Sequence, residues 1–325
     1  MLVLFSFFDM RILVTGASGG VGHYISETFI NNTDHELFLL MRSPAKFQLD
    51  PQVRAGVNIV TADMKQIGDQ ADLLKTIDVA ILTAASWGGQ DAFDVNYTKT
   101  HELLSLLNPQ VCQQVIYFST ASVLNRQNQL LPEAGQIGTD YIKSKYQCLS
   151  TLGELAISGR ITTVFPTLVL GGDENKPYSF LSADLPAVTK YASLLRWIKA
   201  EGSFHFIHGQ DIATIVRYLV EHPEVSDKYD RKVVMGNQRV MVEQGIQEIC
   251  AYLGKPVVFQ VSLSIALINL VIKVFRIQMA EWDYFCLQNR HEIHDPIVSP
   301  ATFGLPVYAA TLSEVLSTRG IPQVA

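Results

Sequence analysis

Thr15-Gly16-Ala17-Ser18-Gly19-Gly20-Val21-Gly22 lies between a short apolar run, residues 11–14, and a segment, residues 21–29, whose spacing fits a helix. A strand that passes through glycines into a helix presents bare backbone N–H groups to a phosphate. The first turn of a helix has unpaired donors and a partial positive charge. Glycine suits such a turn because the backbone is tight, the pyrophosphate comes close, and helix and strand pack without side chains between them. The glycines alone are a weak signal and need a βαβ context.

That context extends outward from them. Apolar runs at 10–14, 36–41, 57–61, 79–83, 114–118 and 161–165 predict six strands. Segments 21–29, 69–76, 96–107 and 141–157 predict the helices between them, with breaks at Asn31-Asn32-Thr33-Asp34 and Asn108-Pro109. This alternation predicts an α/β fold, a doubly wound parallel (Rossmann) sheet whose ligands bind beyond the carboxyl ends of the strands. Past residue 170 the alternation loosens. Residues 173–186 read as loop, 204–207 and 232–235 as strands, and 210–221 and 242–253 as helices. The expected division is an extension at 1–9, a nucleotide-binding domain at 10–170 to which 204–236 returns, and a smaller, mostly C-terminal substrate lobe from 171–203 and 237–325.

Bulk composition narrows the function. Of the 325 residues, 48% are apolar and only 17% charged, which is a globular balance. A net charge of −6 argues against general nucleic-acid binding, which needs a basic face. Cys112, Cys148, Cys250 and Cys286 are far apart without metal-ligand spacing, and read as buried free thiols in a reducing compartment. Residues 1–8 are apolar but lack a cationic start and meet Asp9 at once, and they are too short for a signal peptide or a span. A cytoplasmic protein is expected.

Two clusters of residues speak to chemistry. Strand two ends Leu39-Leu40-Met41-Arg42, with no acid where an NAD-preferring fold places a carboxylate for the ribose. Arg42, helped by Lys46, stands instead where a 2′-phosphate would sit, which favours NADP(H) over NAD(H). Asp63 follows strand three and suits the adenine amino group, or else caps a helix. On the helix after strand five, Tyr141 and Lys145 are four residues apart and share a face. An ammonium beside a phenol favours the phenolate and is expected to bring the tyrosine pKa towards neutrality. Thr120, with Ser119 at the end of strand five, is placed to hydrogen-bond a reacting oxygen.

In these motifs the chain resembles the extended short-chain dehydrogenase/reductases, the NAD-dependent epimerase/dehydratase-like family, and most closely their dihydroflavonol reductase-like branch. Thr15-Gly16-x-x-Gly19-x-x-Gly22 matches the glycine motif, Asp63 the adenine-contacting acid, and Ala84-Ala85 the small residues after strand four. Asn96 matches the asparagine of the fourth helix, Ser119-Thr120 the hydroxyl site, and Tyr141-x-x-Ser144-Lys145 the catalytic motif. Pro166-Thr167-Leu168-Val169 looks like the loop that touches nicotinamide, and His208-x-x-Asp211 like a downstream motif. The resemblance covers about residues 10–220. It implies Thr120, Tyr141 and Lys145 as catalytic residues: Tyr141 moves the proton of the substrate oxygen, Thr120 polarises it, Lys145 tunes Tyr141, and Asn96 positions Lys145 through water. It implies a cofactor site of Gly16, Ser18, Gly19, Gly20, Val21, Gly22, Arg42, Asp63, Met64, Ala84, Ala85, Ser119, Tyr141, Lys145, Pro166, Leu168 and Val169. A homodimer is a family expectation. Phe165, where the family often has arginine, and Leu124-Asn125, where it has Tyr-Gly, point away from nucleotide-sugar substrates.

The expected function is hydride transfer to or from a carbonyl or alcohol of an apolar small molecule. An epimerase or dehydratase that keeps its cofactor is the first alternative. A non-catalytic NADP-binding structural or regulatory protein is the second. His291, Glu292, His294 and Asp295 read as a polar surface loop rather than a metal site. Trp87-Gly88-Gly89 reads equally as pocket wall or plain loop. For the apolar segment 263–279, core or pocket wall is favoured over a membrane-surface or partner-binding helix.

Overall fold

The computed structural model describes residues 10–257, 259–274 and 278–324; the expected extension at 1–9 and part of the apolar segment, 275–277, lie outside them. The six expected strands form as β1 (Arg11–Thr15), β2 (Glu36–Met41), β3 (Val57–Thr61), β4 (Val79–Leu82), β5 (Gln114–Phe118) and β6 (Ile161–Pro166). With the Lys232–Met235 strand at the edge beside β6, they make a seven-stranded parallel sheet in the order β3-β2-β1-β4-β5-β6 and then that edge strand. Their near-continuous Val, Ile and Leu content follows from burial on both faces. β1, β4, β5 and β6 have almost no exposed side chains. One layer buries Ile25, Phe29, Ile212, Val216 and Leu219 of the Gly20–Asn32 and Gly209–Glu221 helices against the sheet, and the other buries Leu74, Leu103, Leu104 and Cys148.

The register fixes where function can gather. Val14 lies level with Leu39 and Ile81, Leu82 with Tyr117, and Phe118 with Val164. The residues that follow these strands therefore emerge along one edge of the sheet. The chain reverses its strand order between β1 and β4, which opens a crevice there.

Several expected elements differ. Residues 69–76 are a 3₁₀ run, Met64–Gln70, followed by a single α-turn, Ala71–Leu74. The helix expected at 96–107 begins at Gln90 and passes through a π-helical turn, Asp94–Lys99, before Thr100–Leu106. The helix expected at 141–157 runs Asp140–Thr151 and tightens into a 3₁₀ turn at Leu152–Glu154 around Gly153. The loop expected at 173–186 contains most of a helix, Phe180–Lys190, with Pro186 inside it. Proline deprives the Ser182 carbonyl of its helical partner, and Arg319 Nε donates to that carbonyl instead, at 3.2 Å.

The segment at 263–279 is not core. It comprises the end of a strand, Val261–Leu263, and a helix, Ile265–Val274, of which no described side chain is buried. Among the cysteines, Cys112, Cys148 and Cys250 are buried, but Cys286 is exposed. The loop at 291–295 is not a solvated surface either: His294 is buried, 6.0 Å from the His205 ring, with Nδ1 2.8 Å from Asn128 Oδ1. Among the described residues no group of three or more His, Cys, Asp and Glu could hold a metal, and no helix is long and apolar enough to cross a membrane.

Candidate active site

The glycine turn leaves β1 with Gly16 at φ +68°, a backbone state that side chains resist. A Cβ there would also stand 2.8 Å from the Ala84 Cα. A Cβ on Gly22 would run into the Gly16 carbonyl. The turn closes when Gly19 N–H donates to Gly16 O at 2.8 Å, and the Gly20–Asn32 helix begins without a side-chain cap or an acid in its first turn. The N–H groups of Gly20, Val21 and Gly22 lack helical partners by position. Ser18 and Gly19 lie on the open side of the turn, and the Pro177 carbonyl passes 3.5 Å from where a Gly20 Cβ would be. Across the crevice, Thr83 Oγ1 donates to Thr15 O at 2.6 Å and Ala84 N–H to Thr15 Oγ1 at 3.3 Å, so Ala84 and Ala85 are held against the turn.

At the adenosine end, Arg42 and Asp63 emerge from neighbouring strands. Arg42 Nη1 is 3.9 Å from Asp63 Oδ2, a loose pair whose arginine side chain is 75% exposed. Asp63 Oδ1 meanwhile accepts from Lys65 N–H at 2.9 Å, so it caps the following 3₁₀ helix. Met64 is buried beneath them.

At the other end, Ser119 and Thr120 follow β5. Ser119 is buried and its Oγ has no hydrogen-bond partner. Thr120 Oγ1 accepts from Ser122 N–H and donates to Ser122 Oγ, both at 3.3 Å. The Asp140–Thr151 helix, capped by Thr139 Oγ1, places Tyr141 against the cluster of Ala121 and Val123. One turn on, Lys145 is buried, and its Nζ donates to Phe118 O at 2.7 Å, 5.0 Å from the Tyr117 ring. Pro166 is buried at the end of β6. Leu168 and Val169 belong to a short strand, Leu168–Leu170, paired with Phe206–His208, and Leu168 remains exposed.

One expectation about this end changes. The spacing of Lys145 and Tyr141 predicts a lowered tyrosine pKa, yet burial pushes the phenol well up. Burial also pulls the Lys145 ammonium down to about 8. Tyr141 lies half-buried in the Ala121 and Val123 cluster, the Trp87 indole, itself 71% exposed, stacks on its ring at 4.4 Å and 24°, and the lysine is engaged by a carbonyl. Asn96 holds the loop after β4. Its Oδ1 accepts from Ser86 N–H at 2.9 Å, and its Nδ2 donates to Ser86 O at 2.7 Å and Ser144 Oγ at 3.0 Å. Ser144 Oγ in turn donates to Tyr141 O at 2.8 Å. A second tie, Gly89 N–H to Asp140 Oδ2 at 3.0 Å, fixes the far side of the same loop. The sequence leaves Trp87 open between wall and loop because nothing local specifies that a residue after β4 meets a residue after β5. Trp87 belongs to the site.

These residues fit a nicotinamide dinucleotide. The uncapped helix start and the glycine turn suit its pyrophosphate, and the orphaned Ser119 Oγ lies by the buried lysine at the opposite end. Residues 12–236 match the NAD dependent epimerase/dehydratase family. The chain belongs to that family. It is accordingly a nicotinamide-dinucleotide-dependent enzyme of the short-chain dehydrogenase/reductase type. No curated protein sequence matches it significantly. Solved structures share the fold at low identity. The terminal R domain from the myxalamid PKS-NRPS biosynthetic pathway superposes with a TM-score of 0.70 at 17% identity, covering 98% of this chain and 94% of that one. The dTDP-glucose 4,6-dehydratase of Bacillus anthracis, in complex with NAD, gives 0.64 at 15%, covering 96% of each chain. The UDP-glucose 4-epimerase of Thermus thermophilus, also with NAD, gives 0.61 at 14%, covering 96% of this chain and 98% of that one.

Proposed function

We propose that this family member is an oxidoreductase that uses NADP(H) to interconvert a carbonyl and an alcohol on an apolar small molecule. The observation that carries the proposal is the placement of Tyr141 and Lys145 one turn apart beside Ser119-Thr120, with Lys145 Nζ anchored at the Phe118 carbonyl. The bound cofactor supplies or accepts the hydride at the substrate carbon. Tyr141 gives its phenolic proton to the substrate oxygen in reduction and recovers one in oxidation. It is protonated at neutral pH, as the acid role requires, although burial raises its pKa and makes the phenol a weaker acid. Thr120 Oγ donates a hydrogen bond to the same oxygen. Lys145 holds positive charge beneath both, and Trp87, Leu168 and Val169 supply the apolar surroundings. Tyr141→Phe is expected to lower kcat/KM on a reducible carbonyl by roughly 100-fold to 10,000-fold. Unchanged turnover would sink the mechanism.

The NADP(H) preference rests on Arg42, which needs only to leave its loose contact with Asp63 to meet a 2′-phosphate. Relatives solved with NAD favour the other dinucleotide. Titration with NADPH and NADH decides between them. Tighter NADPH binding that is lost in Arg42→Ala is expected, and tighter NADH binding refutes it.

A second reading, transient oxidation during epimerisation or dehydration, is favoured by the dehydratase and epimerase among the structural relatives. Conversion of substrate by protein that retains its nucleotide, without net NADPH consumption, would establish it. Cytoplasmic location belongs to the proposal as well.

A further inference from the structure

We propose that the face built by residues 180–200, 255–257 and 259–274 docks the protein onto an anionic lipid surface. The two segments are brought together by a parallel pair of strands, Ile198–Ala200 and Val261–Leu263, in which Val261 N–H donates to Trp197 O at 2.8 Å. Large apolar side chains stand in solvent on both: Phe180 at 78% exposure, Tyr191 at 63%, Leu194 at 60%, Trp197 at 44%, Phe259 at 64% and Val274 at 63%. The Ile265–Val274 helix carries one amide, Asn269, and one charge, Lys273, and is otherwise apolar all round. Helices of that kind are normally buried in protein or lipid, yet no described side chain of this one is buried. So much apolar side chain in solvent on two paired segments needs a cover.

Charge identifies the cover. Residues 180–200, 255–257 and 259–274 together hold five of the chain's 25 Lys and Arg and one of its 31 Asp and Glu, Asp184. In a protein of net charge −6, the apolar face is thus the one that an anionic surface would attract. Lys190 and Lys273 are exposed among the apolar side chains, while Lys199 shares Glu243 at 3.3 Å, and Asp184 is the nearby acid of the Phe180–Lys190 helix. Lysine stems lie along an apolar surface with the ammonium at headgroup level. Tryptophan and tyrosine prefer the same depth. A second copy is a poorer occupant, because a two-fold contact sets the patch against itself and brings an excess of cations together with only Asp184 of each face to pair them. Among the described residues no helix can span a bilayer, so the contact is interfacial.

The test is flotation of the full-length protein with vesicles of pure phosphatidylcholine and of phosphatidylcholine containing about a third phosphatidylglycerol, at low and high salt. Flotation with the anionic vesicles alone, reversed by high salt, is expected. Leu194→Glu with Val274→Glu, and separately Lys190→Glu with Lys273→Glu, are expected to lower the bound fraction roughly tenfold with unchanged circular dichroism. Val53→Glu, an exposed apolar site elsewhere at 61%, is expected to float like the parent. Three results overturn the proposal: no flotation, flotation indifferent to lipid charge, or a concentration-dependent dimer that Leu194→Glu splits and that ignores vesicles. If a variant misfolds, the lipid-charge and salt dependence of the parent protein decides alone.

Discussion

At the scale of single residues, the centre of interest is the stack of Trp87 on Tyr141. A phenol buried under an indole loses the water that would stabilise its anion, so its pKa rises. The effect runs against the usual expectation for a tyrosine with a lysine one turn away. Lys145 is itself desolvated to about 8 and spends its ammonium on Phe118 O. Removing the indole reverses the cause. In Trp87→Ala, the Tyr141 pKa is expected to fall towards the ordinary value near 10. The measurement is tyrosinate absorbance on titration: one additional tyrosine ionises at lower pH in Trp87→Ala, and that increment vanishes in the double variant with Tyr141→Phe. An unchanged titration would mean that the surrounding cluster, not Trp87, keeps the phenol dry.

At the scale of elements, the Phe180–Lys190 helix shows how a local rule can be overruled at a distance. Proline inside a helix costs a hydrogen bond and leaves a carbonyl open. Arg319 satisfies that carbonyl through Nε and lays its guanidinium over the Tyr178 ring, 3.8 Å from the centroid. Arg319→Met is expected to cost about 1–2 kcal/mol in denaturant melts. The cost should shrink in a Pro186→Ala background, where the helix can supply its own donor. Nothing near Pro186 in sequence announces an arginine 133 positions later, which is why residues 173–186 read as loop. The same limit explains the other differences. β2, β3, β5 and the Lys232–Met235 strand are legible to the residue because each is a mostly apolar run between polar breaks, even where β3, at the sheet edge, is only half-buried. The glycine turn is legible because only glycine tolerates Gly16's φ and Gly22's contact. The π-helical turn at Asp94–Lys99, by contrast, depends on Asn96 reaching Ser86 and Ser144, and the exposure of the Ile265–Val274 helix depends on what does not cover it. Periodicity reports which faces are apolar; it does not report which face finds a partner.

At the scale of the whole molecule, the same burial that shapes the site sets how the fold answers to acid. His208 caps the Gly209–Glu221 helix through Nδ1, between the rings of Tyr24 and Tyr308, and burial lowers its pKa to about 4. Its folded pKa lies below the unfolded value of 6.5, so its neutral form contributes stability that is complete above pH 6.5 and is lost as pH falls towards 4. The full loss approaches about 3 kcal/mol. His23 and His205, also lowered by burial, act in the same direction. Asp211 opposes them. It accepts from Tyr308 and Ala309 N–H groups, but burial dominates and raises it to about 6. Its contribution is complete below about pH 4 and is lost as pH rises through 6, so acid relieves it while acid loads the histidines. Three histidines against one carboxylate leave a net loss on acidification. The melting temperature is therefore expected to fall between pH 7 and pH 4.5, and His208→Asn, which keeps a capping oxygen without a titrating ring, should flatten much of that slope. A melting temperature that rises over the same interval would mean that Asp211 outweighs the histidines and that the contact between the His208–Asp211 turn and residues 308–309 is held together by a protonated acid.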